Sequence, residues 1–161
     1  MELVIIIHNV RSAYNVGSIF RTADGAGVAM VYLSGYSPFP ADEKNIFSTN
    51  AQKMISKTAL GAEKYVKWKK VSKIGPLIEK VRNEGYEIVA LEQSEKSIQL
   101  EKFNPKRKTV LIVGNEPKGI DAKILKNCDM IVEIPMMGKK NSLNVSVAFG
   151  IAAYHICSKM K

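Results

Sequence analysis

Near the start of the sequence stand five consecutive apolar residues, Leu3-Val4-Ile5-Ile6-Ile7, four of them β-branched. Side chains alternate across a strand, so a strand of this composition has to be covered on both faces. Further short apolar runs at 28–33, 87–91, 109–113 and 130–134 read as four more strands. Helical patterns lie between them. One covers 16–24, with Asn15 as its cap and Gly25 and Gly27 as its stop. A polar stretch with helical spacing covers 45–57, and an amphipathic helix covers 74–83 and ends at Gly85. A short helix is capped by Asp121, and a strongly apolar one covers 143–158. Residues 34–45, with Pro38 and Pro40, read as a loop. Strands alternating with helices predict an α/β fold with a mostly parallel sheet flanked by helices. The 161 residues carry no internal repeat and no low-complexity linker, which predicts a single domain over 1–161.

The charge balance narrows the partners. Lys and Arg number 24 against 15 Asp and Glu, a net charge of +9, which favours a polyanion through counterion release. Basic residues cluster at Lys67-Trp68-Lys69-Lys70, Lys106-Arg107-Lys108 and Lys139-Lys140, and Trp68 offers a stacking plane within the first cluster. One such cluster alone would be a solvated face; three in a short chain make a basic surface. Cys128 and Cys157 stand at no metal-ligand spacing and the two histidines, His8 and His155, are far apart, so no zinc site is expected. Free thiols in apolar stretches fit a reducing cytoplasm. The first residues have neither a basic leader nor a cleavage site, and the opening apolar run is far below the roughly 20 residues that span a bilayer. No signal peptide and no membrane anchor are expected.

In open α/β sheets, ligands bind beyond the carboxyl ends of the strands, and three segments place polar residues and glycines there. The first runs His8-Asn9-Val10-Arg11-Ser12-Ala13-Tyr14-Asn15-Val16-Gly17-Ser18-Ile19-Phe20-Arg21. Asn15 stands at the mouth of its helix and Arg21 nearly two turns further in; a cap and a surface ion pair would also account for them, whereas an Arg near a helix N-terminus makes a phosphate fork. The second is Gly114-Asn115-Glu116-Pro117-Lys118-Gly119. It is not a phosphate-binding Walker loop, because Gly119 is followed by Ile120-Asp121, and no GxGxxG occurs in the chain. A tight turn explains its glycines, but not a carboxylate set beside them. The third is Ile134-Pro135-Met136-Met137-Gly138-Lys139-Lys140-Asn141-Ser142-Leu143-Asn144-Val145-Ser146. A helix start needs one capping side chain; Ser142, Asn144 and Ser146 together exceed that need.

Taken together, these segments resemble the three motifs of the SpoU (TrmH-like) family of RNA 2′-O-ribose methyltransferases, within the SPOUT superfamily. Asn144-Val145-Ser146 behind Ser142-Leu143, with Ile134-Pro135-Met136 and Gly138 before them, is similar to the third motif almost residue for residue. Gly114-Asn115-Glu116 with Gly119 resembles the second, and Asn15, Gly17, Arg21 and the run Ala23-Asp24-Gly25-Ala26-Gly27 resemble the first. The resemblance covers nearly the whole chain, in order and spacing. Pro117, where many relatives carry a small or aliphatic residue, and the basic Lys139-Lys140 depart from the pattern. No counterpart of the larger relatives' extra RNA-binding domain and helical extensions is expected within these residues.

The resemblance implies a SPOUT-type α/β fold with a C-terminal trefoil knot, a homodimer, and S-adenosyl-L-methionine (SAM) as cofactor. It places SAM against the backbone around Leu91, Gly114, Ile134, Met136 and Leu143. It makes Asn15, Arg21, Glu116, Ser142 and Asn144 the catalytic candidates. In this family Arg21 is cast as activating the ribose 2′-hydroxyl; since a guanidinium keeps its proton in proteins, the sounder role is to fix a phosphate and stabilise the developing alkoxide. Ser142 and Asn15 would hold the nucleotide, and Glu116 would fix Arg21 or the dimer partner. The implied substrate is RNA, tRNA ahead of rRNA because compact members often act on tRNA. Two rivals stand beside this reading: a non-catalytic RNA-binding or assembly factor that retains the fold, and an α/β enzyme with another nucleotide cofactor, which the missing phosphate loops disfavour.

Overall fold

The structure, a computed structural model, describes residues 2–42 and 47–160. Among the described residues the chain runs β1 (Glu2–His8), α1 (Ala13–Gly25), β2 (Met30–Ser34), α2 (Asn50–Ala59), β3 (Trp68–Val71), α3 (Ile74–Asn83), β4 (Glu87–Leu91), β5 (Ile98–Gln99), β6 (Lys108–Val113), α4 (Ala122–Leu125), β7 (Met130–Glu133) and α5 (Val145–Lys159), with short 3-10 turns at Ala62–Lys64 and Leu100–Lys102. The strands form one sheet in the order β3-β2-β1-β6-β4-β7-β5, every pair parallel. All their carboxyl ends therefore lie along a single edge.

The continuous apolar runs have a direct explanation. In β1, Leu3, Ile5 and Ile7 enter one core, with residues of α1, α2 and α5, while Val4 and Ile6 enter a second core with residues of α3 and α4. Leu111 and Val113 against Val110 and Ile112 repeat this division in β6. Ile5, Ile6 and Ile7 are wholly buried, and each such side chain contributes roughly 1.5–3 kcal/mol of transfer free energy. Parallel neighbours on both flanks and helices on both faces leave β1 no route to solvent.

Several boundaries differ from the sequence reading. Helix α1 starts at Ala13 and is capped by Ser12, whose side chain accepts from the Asn15 N–H; Asn15 thus lies inside the first turn and is not the cap. The helix expected over 45–57 is α2, where Thr49 and Gln52 form a reciprocal capping box; the expected first residues of that helix, and the end of the loop read over 34–45, lie outside the described residues. The last helix starts two residues later than expected, at Val145, with Asn144 as its cap. Two strands were not read at all. β3 is a sheet-edge strand containing Lys69 and Lys70, and β5 has two residues.

Helix α2 packs tightly on α1 because of one glycine. A Cβ added at Gly17 would lie 2.1 Å from Thr58 Oγ1 and 2.3 Å from the Ile55 carbonyl oxygen. The Thr58 hydroxyl donates to the Tyr14 carbonyl at 2.9 Å across the same contact. Gly17→Ala is therefore expected to destabilise the fold by about 1–3 kcal/mol through overpacking, read as a lower denaturant midpoint with an unchanged slope. A midpoint equal to that of the wild type would contradict this account of the helix contact.

Candidate active site

At the carboxyl edge of the sheet, the loops that follow β4, β6 and β7 surround a cavity of about 410 Å³. Leu91 ends β4, Gly114 and Ile134 directly follow β6 and β7, and Met136 and Leu143 belong to the loop before α5; all five line the cavity. The shape depends on a turn in which Asn115 and Gly119 exchange backbone hydrogen bonds of 2.8 and 3.2 Å. Gly119 has φ +66°, and a Cβ on it would lie on the Glu92 carboxylate. A Cβ on Gly114 would meet Ile120 Cγ1 at 2.5 Å. Glu92 pins the turn to the loop after β4 by accepting the Ile120 N–H at 2.8 Å. Glu133, also in the lining, accepts from the Ser97 hydroxyl at 2.6 Å. The walls are thus part apolar, from Leu91, Val113, Ile134 and Leu143, and part carboxylate.

Three of the five catalytic candidates form one network. The Glu116 carboxylate accepts from the backbone N–H groups of Arg11 (3.0 Å) and Ser12 (3.2 Å) and from the Asn15 side-chain amide (3.0 Å). Asn15 Oδ1 in turn accepts from the Asn144 amide at 3.1 Å. Asn144 Oδ1 accepts both the backbone N–H and the hydroxyl of Ser146, which caps α5. The network therefore joins the starts of α1 and α5 to the turn after β6. Burial draws the Glu116 carboxyl upward, but the hydrogen bonds from Arg11, Asn15, its own N–H and Ser12 outweigh it and hold it below the usual carboxylate value.

The other two stand apart. Ser142 lines the cavity beside Leu143 and is exposed. Arg21 lies six residues along α1 from Asn15, roughly 9 Å up the axis and on a different face. It is exposed, and it has no ion pair or side-chain hydrogen bond among the described residues. Of the two partners expected for Glu116, Arg21 or the dimer partner, Arg21 is not bound to it: within the chain its oxygens meet Arg11, Ser12 and Asn15.

Sequence reasoning missed a second polar group beneath this network. Asn115 donates to the Asn9 carbonyl (3.0 Å) and to the Tyr36 hydroxyl (2.8 Å), and Asn9 Oδ1 accepts the Tyr36 N–H. Asn9 has φ +55°, a left-handed conformation that Asn tolerates better than most residues. Its amide donates to His8 Nε2 at 3.0 Å, which leaves the imidazole proton on Nδ1, donated to the Ser34 hydroxyl at 2.8 Å. Burial lowers the His8 pKa, with Asp121 opposing and Lys70 reinforcing that shift, which favours the neutral ring. The adjacent His8-Asn9 pair after a buried strand was the available signal. Both cysteines are free, and burial raises their pKa values, with Asp129 adding to the rise at Cys128 to about 11; neither is a thiolate nucleophile at neutral pH.

The sequence and the fold are similar to those of known proteins. The SpoU rRNA Methylase family matches residues 2–154. A tRNA (guanosine(18)-2′-O)-methyltransferase of Aquifex aeolicus is 33% identical over 153 residues, covering 95% of this chain and 67% of the relative. A 23S rRNA (guanosine-2′-O-)-methyltransferase, RlmB, of Pseudomonas aeruginosa is 31% identical over 156 residues, covering 97% of this chain and 58% of the relative. This chain thus spans between about three-fifths and two-thirds of the length of these relatives. The crystal structure of an AdoMet-bound rRNA methyltransferase from Sinorhizobium meliloti superposes with a TM-score of 0.83 at 23% identity, over 96% of this chain and 55% of that one, which establishes the shared fold.

The lowered Glu116 value carries a pH signature. A carboxylate whose folded value lies below its unfolded one adds stability that is complete above the unfolded value, ordinarily 4.5 for this group, and is lost as the pH falls through the folded value. The wild type is expected to exceed Glu116→Gln in unfolding free energy at neutral pH, with the gap closing below about pH 4. A gap that stays constant with pH in urea titrations would refute the charged network.

Proposed function

The chain belongs to the SpoU methylase family, and from that premise we propose that it is a cytoplasmic enzyme transferring a methyl group from SAM to a ribose 2′-hydroxyl of RNA. The observation that carries the proposal is the meeting of one cavity with the Glu116–Asn15–Asn144 network at the carboxyl edge of a parallel sheet. RNA 2′-O-methylation is what the Aquifex and Pseudomonas relatives are named for, and AdoMet is the ligand of the Sinorhizobium neighbour. We favour tRNA over rRNA, as the relative of which this chain covers the larger share is named for tRNA.

The cavity suits the cofactor. Its volume of about 410 Å³ lies in the range of small-molecule sites. Leu91, Ile134 and Leu143 would take an adenine by apolar contact, with backbone groups near Gly114 and Met136 reading its edge. The absence of a side chain at Gly114 lets the turn pack closely against Ile120 and Gly119, and Glu92 and Glu133 would supply acceptors for hydroxyl and ammonium donors. Bound there, SAM supplies an electrophilic methyl group on a positively charged sulfur.

The remaining work falls to side chains of this chain. Glu116 is spent on rigidity: it locks Arg11, Ser12 and Asn15. Asn15 and Ser142 would hold the target nucleotide at the rim, and Asn144 keeps Asn15 oriented. Arg21 would fix the adjacent phosphate and stabilise the charge growing on the 2′-oxygen, and the hydroxyl proton leaves to water or phosphate. Alignment and fixed charge are the main sources of rate in such a site.

We further propose the homodimer and the C-terminal knot that the family resemblance implies. Helix α5 supports the dimer: Val147, Ile151 and Tyr154 form an apolar stripe along it at helical spacing, 50%, 44% and 56% exposed. Among the described residues, no helix is long and apolar enough to cross a membrane.

The deciding test is calorimetric titration of SAM and S-adenosylhomocysteine into the purified protein, followed by mass spectrometry of nucleosides after incubation with SAM and total RNA. Both ligands are expected to bind and a ribose-methylated nucleoside to appear. A folded protein that binds neither ligand would be reassigned as an RNA-binding factor without chemistry. Arg21→Ala is expected to lower methyl transfer by about a hundredfold or more with SAM affinity nearly unchanged; a large loss of SAM affinity would refute its placement on the RNA side. Light scattering should give about twice the 17.8 kDa chain mass, and Ile151→Asp should give the monomer. An active wild-type monomer would overturn the dimer.

A further inference from the structure

A second, larger cavity, about 1080 Å³, lies away from the proposed reaction, between α2, the Ala62–Lys64 turn, the start of β3 and the loop after β2. Lys53 and Lys57, one turn apart on α2, line it together with Lys64 and Trp68. All three lysines are exposed, and among the described residues none of their ammonium groups has an ion-pair or hydrogen-bond partner. Among the described residues, the acidic members of the lining are Asp42 and the buried Glu63.

Trp68 is held for contact. Its ring packs against Phe39 at 6.2 Å between centroids with a 36° tilt, and the Lys70 ammonium sits 5.5 Å from the Phe39 centroid. Lys70 is itself fixed by the carbonyls of Gly35 and Ser37 at 2.6 and 2.7 Å. A half-buried indole backed in this way keeps its plane without losing side-chain entropy on binding. Unpaired cations spaced along a groove with an aromatic platform are the features by which proteins hold single-stranded nucleic acid. Close packing at Gly17 joins α2 to α1, so this groove and Asn15 share one rigid helix pair.

We propose that this groove binds a single-stranded segment of the RNA substrate, with Trp68 stacking on a base and Lys53, Lys57 and Lys64 meeting phosphates. The proposal rests on the RNA reading given above. It extends substrate contact from the methylation site to the β3 edge of the sheet, within the catalytic domain itself.

Trp68 is the single tryptophan of the chain, so its emission reports this groove alone. A short fluorescein-labelled oligouridylate, followed by anisotropy, and its unlabelled form, followed by Trp68 emission, are titrated into the wild-type protein and into the triple variant Lys53→Gln/Lys57→Gln/Lys64→Gln. Saturable quenching is expected, at the same midpoint as the anisotropy change. In the triple variant the slope of log affinity against log salt should fall by about two, three phosphate contacts at about 0.7 each, with SAM affinity unchanged. Trp68→Ala should weaken binding roughly tenfold. RNA that binds and is methylated while Trp68 emission stays constant overturns the groove proposal and leaves the methyltransferase reading standing. A wild type that binds neither RNA nor SAM removes both. Equal quenching by poly-glutamate would give the groove to an acidic peptide and also overturn the proposal.

Discussion

The double burial of β1 is the constraint from which the other features follow. Its residues divide between two cores and are flanked by β2 and β6 in parallel register. Parallel pairing requires crossover connections, and covering both faces requires those connections to be helices on both sides. Once every strand points the same way, the loops at their carboxyl ends converge on one edge. The cavity of about 410 Å³ is a consequence of that convergence. Backbone at such loops cannot complete a ladder, so its polar groups need other partners. The carboxylates of Glu92 and Glu116 and the amide of Asn115 supply them.

That need explains why so many polar residues crowd the site without all being chemical. Glu116 spans 101 positions of sequence to reach Asn15, and its oxygens satisfy N–H groups at the entry to α1. A negative charge there also complements the helix dipole. Asn144 serves twice, capping α5 and orienting Asn15. A truncation at either position removes both an alignment and a cap, so loss of activity alone would not distinguish the two effects; the pH and denaturant readouts do.

Legibility in the sequence followed burial. β1, β4 and β6 were visible because strands covered on both faces have continuous apolar sequences, whereas β3 pairs on one flank only and carries two lysines, and β5 is too short to show a period. The cap of α1 was misplaced for a comparable reason. Ser12 and Asn15 are both competent caps, and the choice is made by the distant Glu116, which takes the N–H groups of Arg11 and Ser12. The five cavity residues came from family resemblance; no periodicity marks Leu91 or Met136. Asn9 and Asn115 stand inside the segments singled out but received no role, because their work consists of a left-handed backbone and a bond across more than 100 residues.

Arg21 is the residue whose environment says most about how the site would be completed. The single chain gathers Asn15, Glu116 and Asn144 and leaves Arg21 on another face of α1, exposed and unpaired among the described residues. A guanidinium held by Glu116 would be neutralised, and its attraction for phosphate would be spent before substrate arrived. Keeping the carboxylate occupied by backbone N–H groups avoids that loss. On the proposed reading the fold thus separates two tasks. Carboxylates and amides fix the frame within the chain, and cations, Arg21 with Lys53, Lys57 and Lys64, have no partner among the described residues and stay open to a polyanion that comes from outside.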